Sequence, residues 1–152
     1  MRARILFPAT LGLLVLASLA DARPPADIDQ RVRRFVEASN RHDVDAMLAA
    51  TEPTFRWMQV NGDRIDVEVV GHDHLRSWLD GYFRSTPDAR STLTTVTVDG
   101  AYASTVETVE FRDAQQAVQR QTATSVYEFT TEGLIRNVWY FPAQPVPSAT
   151  TP

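Results

Sequence analysis

The chain has 152 residues, a formal net charge of −4 and no cysteine. That length suits one domain behind a leader, and the acidic balance lacks the basic face that nucleic-acid binding requires. Without thiols there are no disulfides, no thiol catalysis and no Cys-ligated metal, so stability rests on packing.

Arg2 and Arg4 precede an apolar run from Ile5 to Leu19, followed by Ala20-Asp21-Ala22 and Arg23-Pro24-Pro25. Charged start, short apolar centre and small-x-small end predict a secretory signal peptide over residues 1–22, cleaved after Ala22. The run is shorter than the roughly 20 residues of a membrane-spanning helix. The expectation is therefore an exported protein, periplasmic or secreted, with no stable membrane span after cleavage. Residues 23–26 form a Pro-containing lead-in to a domain over 27–141.

Asp27 is placed to cap a helix whose apolar residues Ile28, Val32, Phe35 and Val36 recur at helical spacing. Asn40-Arg41-His42 breaks the pattern, and Asp43 caps a shorter helix carrying Val44, Met47 and Leu48. Pro53 closes the helical region. Thr54 to Val70 then reads as a hairpin around Asn61-Gly62-Asp63, with Phe55, Trp57 and Gln59 opposite Val69, Val67 and Ile65. Gly71 opens a third helix, His72 to Arg84, striped by Leu75, Trp78, Leu79, Tyr82 and Phe83. His72 falls on the same side as Leu79 and Phe83.

From Thr92 the pattern turns to strands. Thr92–Val98, an Asp99-Gly100 turn and Ala101–Phe111 make a second hairpin. Its expected inner face holds Val96, Val98, Ala101, Ala103, Val109 and Phe111, together with Thr94, Thr105 and Glu107; the opposite face, with Tyr102, Ser104 and Val106 inside and Glu110 as the inward carboxylate, stays open beside it. A third hairpin turns at Thr131-Glu132-Gly133 and pairs Thr130 with Leu134. Phe129, Tyr127, Ser125 and Ala123 then oppose Ile135, Asn137, Trp139 and Phe141 on an apolar inner face. Glu128 meets Arg136, and Val126 meets Val138, on the outside. Residues 142–152 are Pro-rich and read as an extended, disordered tail.

Glu107 is the sharpest candidate for chemistry, because a carboxylate facing an apolar interior is suited to general acid or base work. Trp57, Tyr127 and Trp139 describe a slot for a flat apolar ligand, with Asn137 as its orienting amide; the same rings could instead fill the interior. His72-Asp73-His74 is not a metal clip on a helix, since residues two apart point about 200° apart. No metal or other cofactor is expected.

The order helix, helix, hairpin, helix, four-strand meander resembles the nuclear transport factor 2-like superfamily, and within it the SnoaL-like group. The matching features are Asn40-x-His42-Asp43-x-Asp45, Gly71 opening the third helix, Val98-Asp99-Gly100, and Tyr127-x-Phe129…Gly133-x-Ile135…Trp139-Tyr140-Phe141. The resemblance implies an α+β cone, a curved mixed or antiparallel sheet wrapped around three N-terminal helices and enclosing a cavity. It implies a homodimer through the outer sheet face. It also brings in an Asp–His base used by some lyases and dehydratases of the superfamily, onto which Asp43 and His72 would map. Asp43 as a simple helix cap and His72 as a packed core residue stay open beside that mapping. Ketosteroid isomerase-like chemistry lacks a matching residue set. Three functions follow in order: binding of a small apolar or aromatic molecule in the cavity; cofactor-free isomerase, cyclase or dehydratase action through Glu107 or Asp43–His72; and a ligand-free interaction or assembly domain.

Overall fold

Helical spacing of apolar residues sets the first layer. In the computed structural model, which describes residues 25–146, α1 (Ile28–Asn40) buries Ile28, Val32, Phe35, Val36 and Ala38. Asp27 sits at its N-cap position but makes no capping bond; its carboxylate instead accepts from Arg31 at 2.8 Å and Arg34 at 3.3 Å. The chain breaks at His42, whose φ of 55° is left-handed. Helix α2 (Val44–Ala49) follows, capped by Asp43, whose side chain accepts from the Ala46 N–H at 3.0 Å. The proposed signal peptide lies outside the described residues. Among the described residues no helix is long and apolar enough to cross a membrane.

Strands β1 (Thr51–Asn61) and β2 (Arg64–Val70) precede α3 (Gly71–Ser85). Then come β3 (Arg90–Asp99), β4 (Tyr102–Arg112), β5 (Val118–Phe129), β6 (Ile135–Tyr140) and the two-residue β7 (Gln144–Pro145). The sheet runs β2-β1-β6-β5-β4-β3, with β7 on β5; β1 and β6 are parallel, and the other neighbours antiparallel. It curls without closing, and the helices fill its inner side. Phe55, Val69, Leu75, Leu79, Ala103, Tyr127, Ile135 and Val138 join the α1 residues in one core. The α+β cone expected from the resemblance is the observed fold.

Three local registers differ from the sequence reading, and each has a physical cause. The β5–β6 hairpin starts as expected, with the Thr130 N–H bonded to the Leu134 carbonyl at 2.8 Å and Phe129 opposite Ile135. A bulge then leaves Arg136 unpaired, so Glu128 faces Asn137, Tyr127 faces Val138 and Val126 faces Trp139. The extra residue frees Arg136 to bind Glu52 at 3.0 Å and Glu128 at 3.6 Å. It also reverses the faces beyond it. Val138, expected outside, is fully buried, while Asn137 and Trp139, expected inside, lie outside.

The β1–β2 hairpin closes on a two-residue Gly62-Asp63 turn, with Asn61 opposite Arg64. Gly62 has a φ of 62°, as the first central position of a tight hairpin turn requires. A shift between Trp57 and Met58 then sets Trp57 opposite Val69, leaving Ile65 and Val67 exposed on the edge strand. Pro53 lies within β1, where pairing with β6 is irregular between Thr51 and Arg56, a place that tolerates a missing N–H. In β3, a shift between Leu93 and Thr95 turns Thr94 outward, and its hydroxyl donates to the Val106 carbonyl at 3.0 Å. Val98 is exposed at the strand's end. The start of the Pro-rich tail is extended as expected but paired, with Gln144 and Pro145 along Thr122 and Gln121; residues 147–152 lie outside the described residues.

Gly133 shows how tightly the turn is held. Its φ is +82°, and a Cβ there would lie 2.5 Å from the Arg31 guanidinium carbon. Arg31 also donates to the Gly133 carbonyl at 3.1 Å, tying α1 to the turn. Gly133→Ala should lower the unfolding free energy by about 2 kcal/mol in denaturant titrations, from left-handed strain and displacement of Arg31. In an Arg31→Ala background only the backbone share should remain; an unchanged cost would show that the guanidinium yields freely.

Candidate functional site

Alternation along β4 turns Ala103, Thr105 and Glu107 toward the helices, and all three are buried. Glu107 is 5% exposed and lines a cavity of about 360 Å³ between the inner sheet face and helices α1 and α3. β6 brings Tyr140 beside it, because the bulge places Tyr140 on the inner face. The Tyr140 hydroxyl donates to Glu107 Oε2 at 2.8 Å. With that proton committed, the Tyr127 hydroxyl, 3.3 Å from the Tyr140 oxygen, is the donor in a long contact between the two phenols. One strand register deeper, the Thr105 and Ser125 hydroxyls bond each other at 2.7 Å. Glu107 Oε1 has no protein partner among the described residues and is not sealed off, so it opens onto the cavity.

The facing wall is aromatic. Tyr140 stacks on Trp57 at 5.0 Å and 10°, Trp57 tilts against Trp78 at 5.0 Å, and Trp78 stacks on Tyr82 at 5.4 Å and 8°. Helical spacing in α3 supplies Trp78 and Tyr82 from adjacent turns. Phe111 and Phe141 also line the cavity. Burial pushes the Tyr127, Tyr140 and Tyr82 phenols up from their ordinary range, and the negative charge of Glu107 pushes all three further.

The other sequence-derived candidates are dispersed. Trp57 lines the cavity, and Tyr127 is buried behind Tyr140. Asn137 and Trp139 are on the outer face, where the Asn137 amide donates to Glu128 at 2.5 Å. Asp43 and His72 do not form a pair. Asp43 caps α2, and His72 Nε2 lies 3.0 Å from the Thr51 hydroxyl and 3.2 Å from the Thr51 carbonyl. A carbonyl only accepts, so Nε2 carries the proton and the ring fastens the start of β1. His74 is engaged separately, its Nδ1 accepting from the Val70 N–H at 3.3 Å. No group of three potential metal ligands gathers among the described residues.

Tyr140, Trp78 and Tyr82 were not singled out as site residues by the sequence. The α3 stripe carried the signal for two of them. Tyr140 had the wrong parity until the bulge at Arg136 was known. Asn40 had no chemical reading, yet it pins α1 to β3 through two bonds to the Ser91 backbone, at 2.7 and 2.8 Å.

A curled sheet around three helices, with a cavity between its inner face and helices α1 and α3, defines the cone class. The SnoaL-like domain family matches residues 32–138, and the chain belongs to it. No curated protein sequence matches the chain. Among solved structures it is similar to an uncharacterised cystatin-fold protein from Novosphingobium aromaticivorans, with 20% identity over 76% of this chain and 97% of that one, at a TM-score of 0.66. A protein of the nuclear transport factor 2-like fold from Burkholderia pseudomallei has 19% identity over 76% and 90%, TM-score 0.64. The epoxide hydrolase/cyclase-like enzyme SalBIII, described in pyran ring formation in the polyether salinomycin, has 17% identity over 76% and 89%, TM-score 0.64. At these identities the likeness establishes the shared fold.

Phenols held above their ordinary range stay protonated longer in the folded state than in the unfolded chain. Their contribution to stability is complete below about pH 10 and falls as pH rises beyond it. Absorbance at 295 nm should show phenolate formation in the folded protein lagging behind the denaturant-unfolded chain around pH 10. Tyr140→Phe should shrink that lag, and should cost about 1–3 kcal/mol by removing the donor to a buried carboxylate.

Proposed function

We propose that this is an exported protein that binds a flat, mostly apolar small molecule in the cone cavity. The observation that carries the reading is the arrangement of the cavity itself. A ladder of four aromatic rings lines the cavity with a single carboxylate, whose second oxygen has no protein partner among the described residues. Apolar area on the rings supplies affinity, and one polar group supplies orientation. Export rests on the N-terminal sequence pattern alone.

Cofactor-free acid–base turnover is a second reading, favoured by Glu107. Its Oε2 is held by Tyr140 and its Oε1 is free, which leaves one oxygen in place to exchange a proton with a bound molecule. The relation in fold to SalBIII, an epoxide hydrolase/cyclase-like enzyme, supports keeping this reading beside the first. The Asp43–His72 pair does not support it, because each side chain is engaged elsewhere.

Calorimetry with 2-naphthol as the probe tests binding. Trp57→Ala and Trp78→Ala should each weaken it by about tenfold, roughly 1.4 kcal/mol. Trp139→Ala, on the outer face, should leave it unchanged. Absence of binding, or equal losses in all three variants, would overturn the reading.

The outer face supports a homodimer. Thr97, Ser104, Val126, Trp139, Met58 and Val67 form one row of cross-strand neighbours over six strands, none of them charged and all but the buried Met58 at least partly exposed. Two copies of an acidic chain meet with least repulsion through such a strip. Val126→Asp should convert the dimer to a monomer in sedimentation while 2-naphthol binding persists; a wild-type monomer would remove this part of the proposal.

A further inference from the structure

We infer that the ligand of the cavity is an aromatic or otherwise apolar organic cation, bound with its positive charge against Glu107. The inference rests on the binding reading above and narrows it to a charge class.

The first ground is charge balance. Glu107 is almost wholly removed from water, yet it takes part in none of the ion pairs among the described residues. Those pairs all have substantially exposed members and lie on the surface. The cavity lining contains no Arg and no His, and the chain contains no Lys. A buried carboxylate is strongly disfavoured without a positive partner or several donors. Here the protein supplies one donor, the Tyr140 hydroxyl, to one oxygen. The second oxygen is left for whatever enters. The Tyr140 and Tyr82 phenols are displaced upward first by burial and then by the Glu107 charge.

The second ground is the wall. Trp57, Trp78, Tyr82 and Tyr140 are electron-rich rings, and the faces of Trp and Tyr attract cations. The parallel pairs have centroids 5.0 and 5.4 Å apart, wider than the roughly 3.5 Å contact distance of carbon atoms. The rings are therefore offset, and part of each face stays uncovered. Carboxylate and π faces act in the same direction, favouring positive charge and opposing negative charge. A purely apolar ligand would use the rings and leave Glu107 without compensation. An anionic ligand would meet Glu107 with no guanidinium to offset it.

The remaining polar lining, Ser39, Gln59, Thr86, Ser91 and Gln121, is neutral. It can hydrate or hydrogen-bond a ligand's polar end without changing the sign of the site. Glu107 is thus the one charged group of the lining, and the rings add to its preference without carrying a charge. Its share is therefore separable from the affinity supplied by the rings.

Three flat probes of similar size separate the possibilities by calorimetry on the whole protein: N-methylquinolinium, its neutral isostere 1-methylnaphthalene, and 2-naphthoate. The expected order is the cation tightest, by about tenfold or more over the neutral probe, with the anion weakest. Glu107→Gln preserves the shape and an acceptor for Tyr140. It should shrink the preference for the cation over 1-methylnaphthalene to the share that the rings supply; an unchanged preference would overturn the role given to Glu107. If the cation and the neutral probe bind equally to the native protein, the charge inference fails and the binding reading stands. If 2-naphthoate binds best, the charge inference is reversed. If none of the three binds, both fall. Should Glu107→Gln fail to fold, Trp78→Ala provides the second check. It should weaken both the cation and the neutral probe yet keep the order between them, and loss of the order would assign the preference to the rings alone.

Discussion

A single unpaired residue in the last hairpin decides what the interior of the cone contains. Up to Phe129 and Ile135 the hairpin follows the register its turn dictates, and past Arg136 every side chain of β6 has changed face. Val138 and Tyr140 enter; Asn137 and Trp139 leave. The bulge is held by Arg136, which lies between Glu52 of β1 and Glu128 of β5, and so bridges the strands on either side of β6. Both pairs share the half-exposed Arg136 guanidinium, and pairs at the surface are each worth little in isolation. Their effect is selective because the alternative register would bury an amide and expel Val138.

The consequence appears at Glu107. A buried carboxylate on β4 is tolerable only where donors converge, and the bulge delivers the Tyr140 hydroxyl to it. Tyr140 in turn stacks on Trp57 and touches Tyr127, so the same ring closes the polar chain and begins the aromatic ladder. Polar and apolar parts of the site therefore share one residue, and the cavity is asymmetric: a hydroxyl-lined carboxylate on one side, rings on the other. A chain of hydroxyls ending on a carboxylate polarises in one direction, which orders the buried side chains around it.

The residues that the family resemblance pointed to, at the helix junction and at the start of α3, are held in contacts of the frame. Asp43 caps α2, Asn40 staples α1 to β3, and His72 fastens the start of β1. Belonging to the SnoaL-like family thus accounts for the cone and its junction, whereas the chemistry must be read from the cavity of this chain.

The amino-acid sequence by itself determined the element order, the buried stripes of α1 and α3 and the turn at Thr131-Glu132-Gly133; it favoured Glu107 over Glu110 as the inward carboxylate, and burial of Glu107 in the structure decided between them. The first three depend on local periodicity or on a turn's backbone requirement, both of which are written in neighbouring residues. Trp57 was legible as an interior ring on the same grounds. What only the tertiary structure decided were the shifts at Thr94, at Trp57–Met58 and at Arg136, and with them the outward placement of Asn137 and Trp139. It also decided the convergence of Tyr140, Trp78 and Tyr82 on Glu107, and the separation of Asp43 from His72. Alternation assumes an unbroken ladder, and a bulge inserts one residue whose place is fixed by partners on other strands. Glu52 lies 84 residues from Arg136, and no local pattern in β6 records that contact.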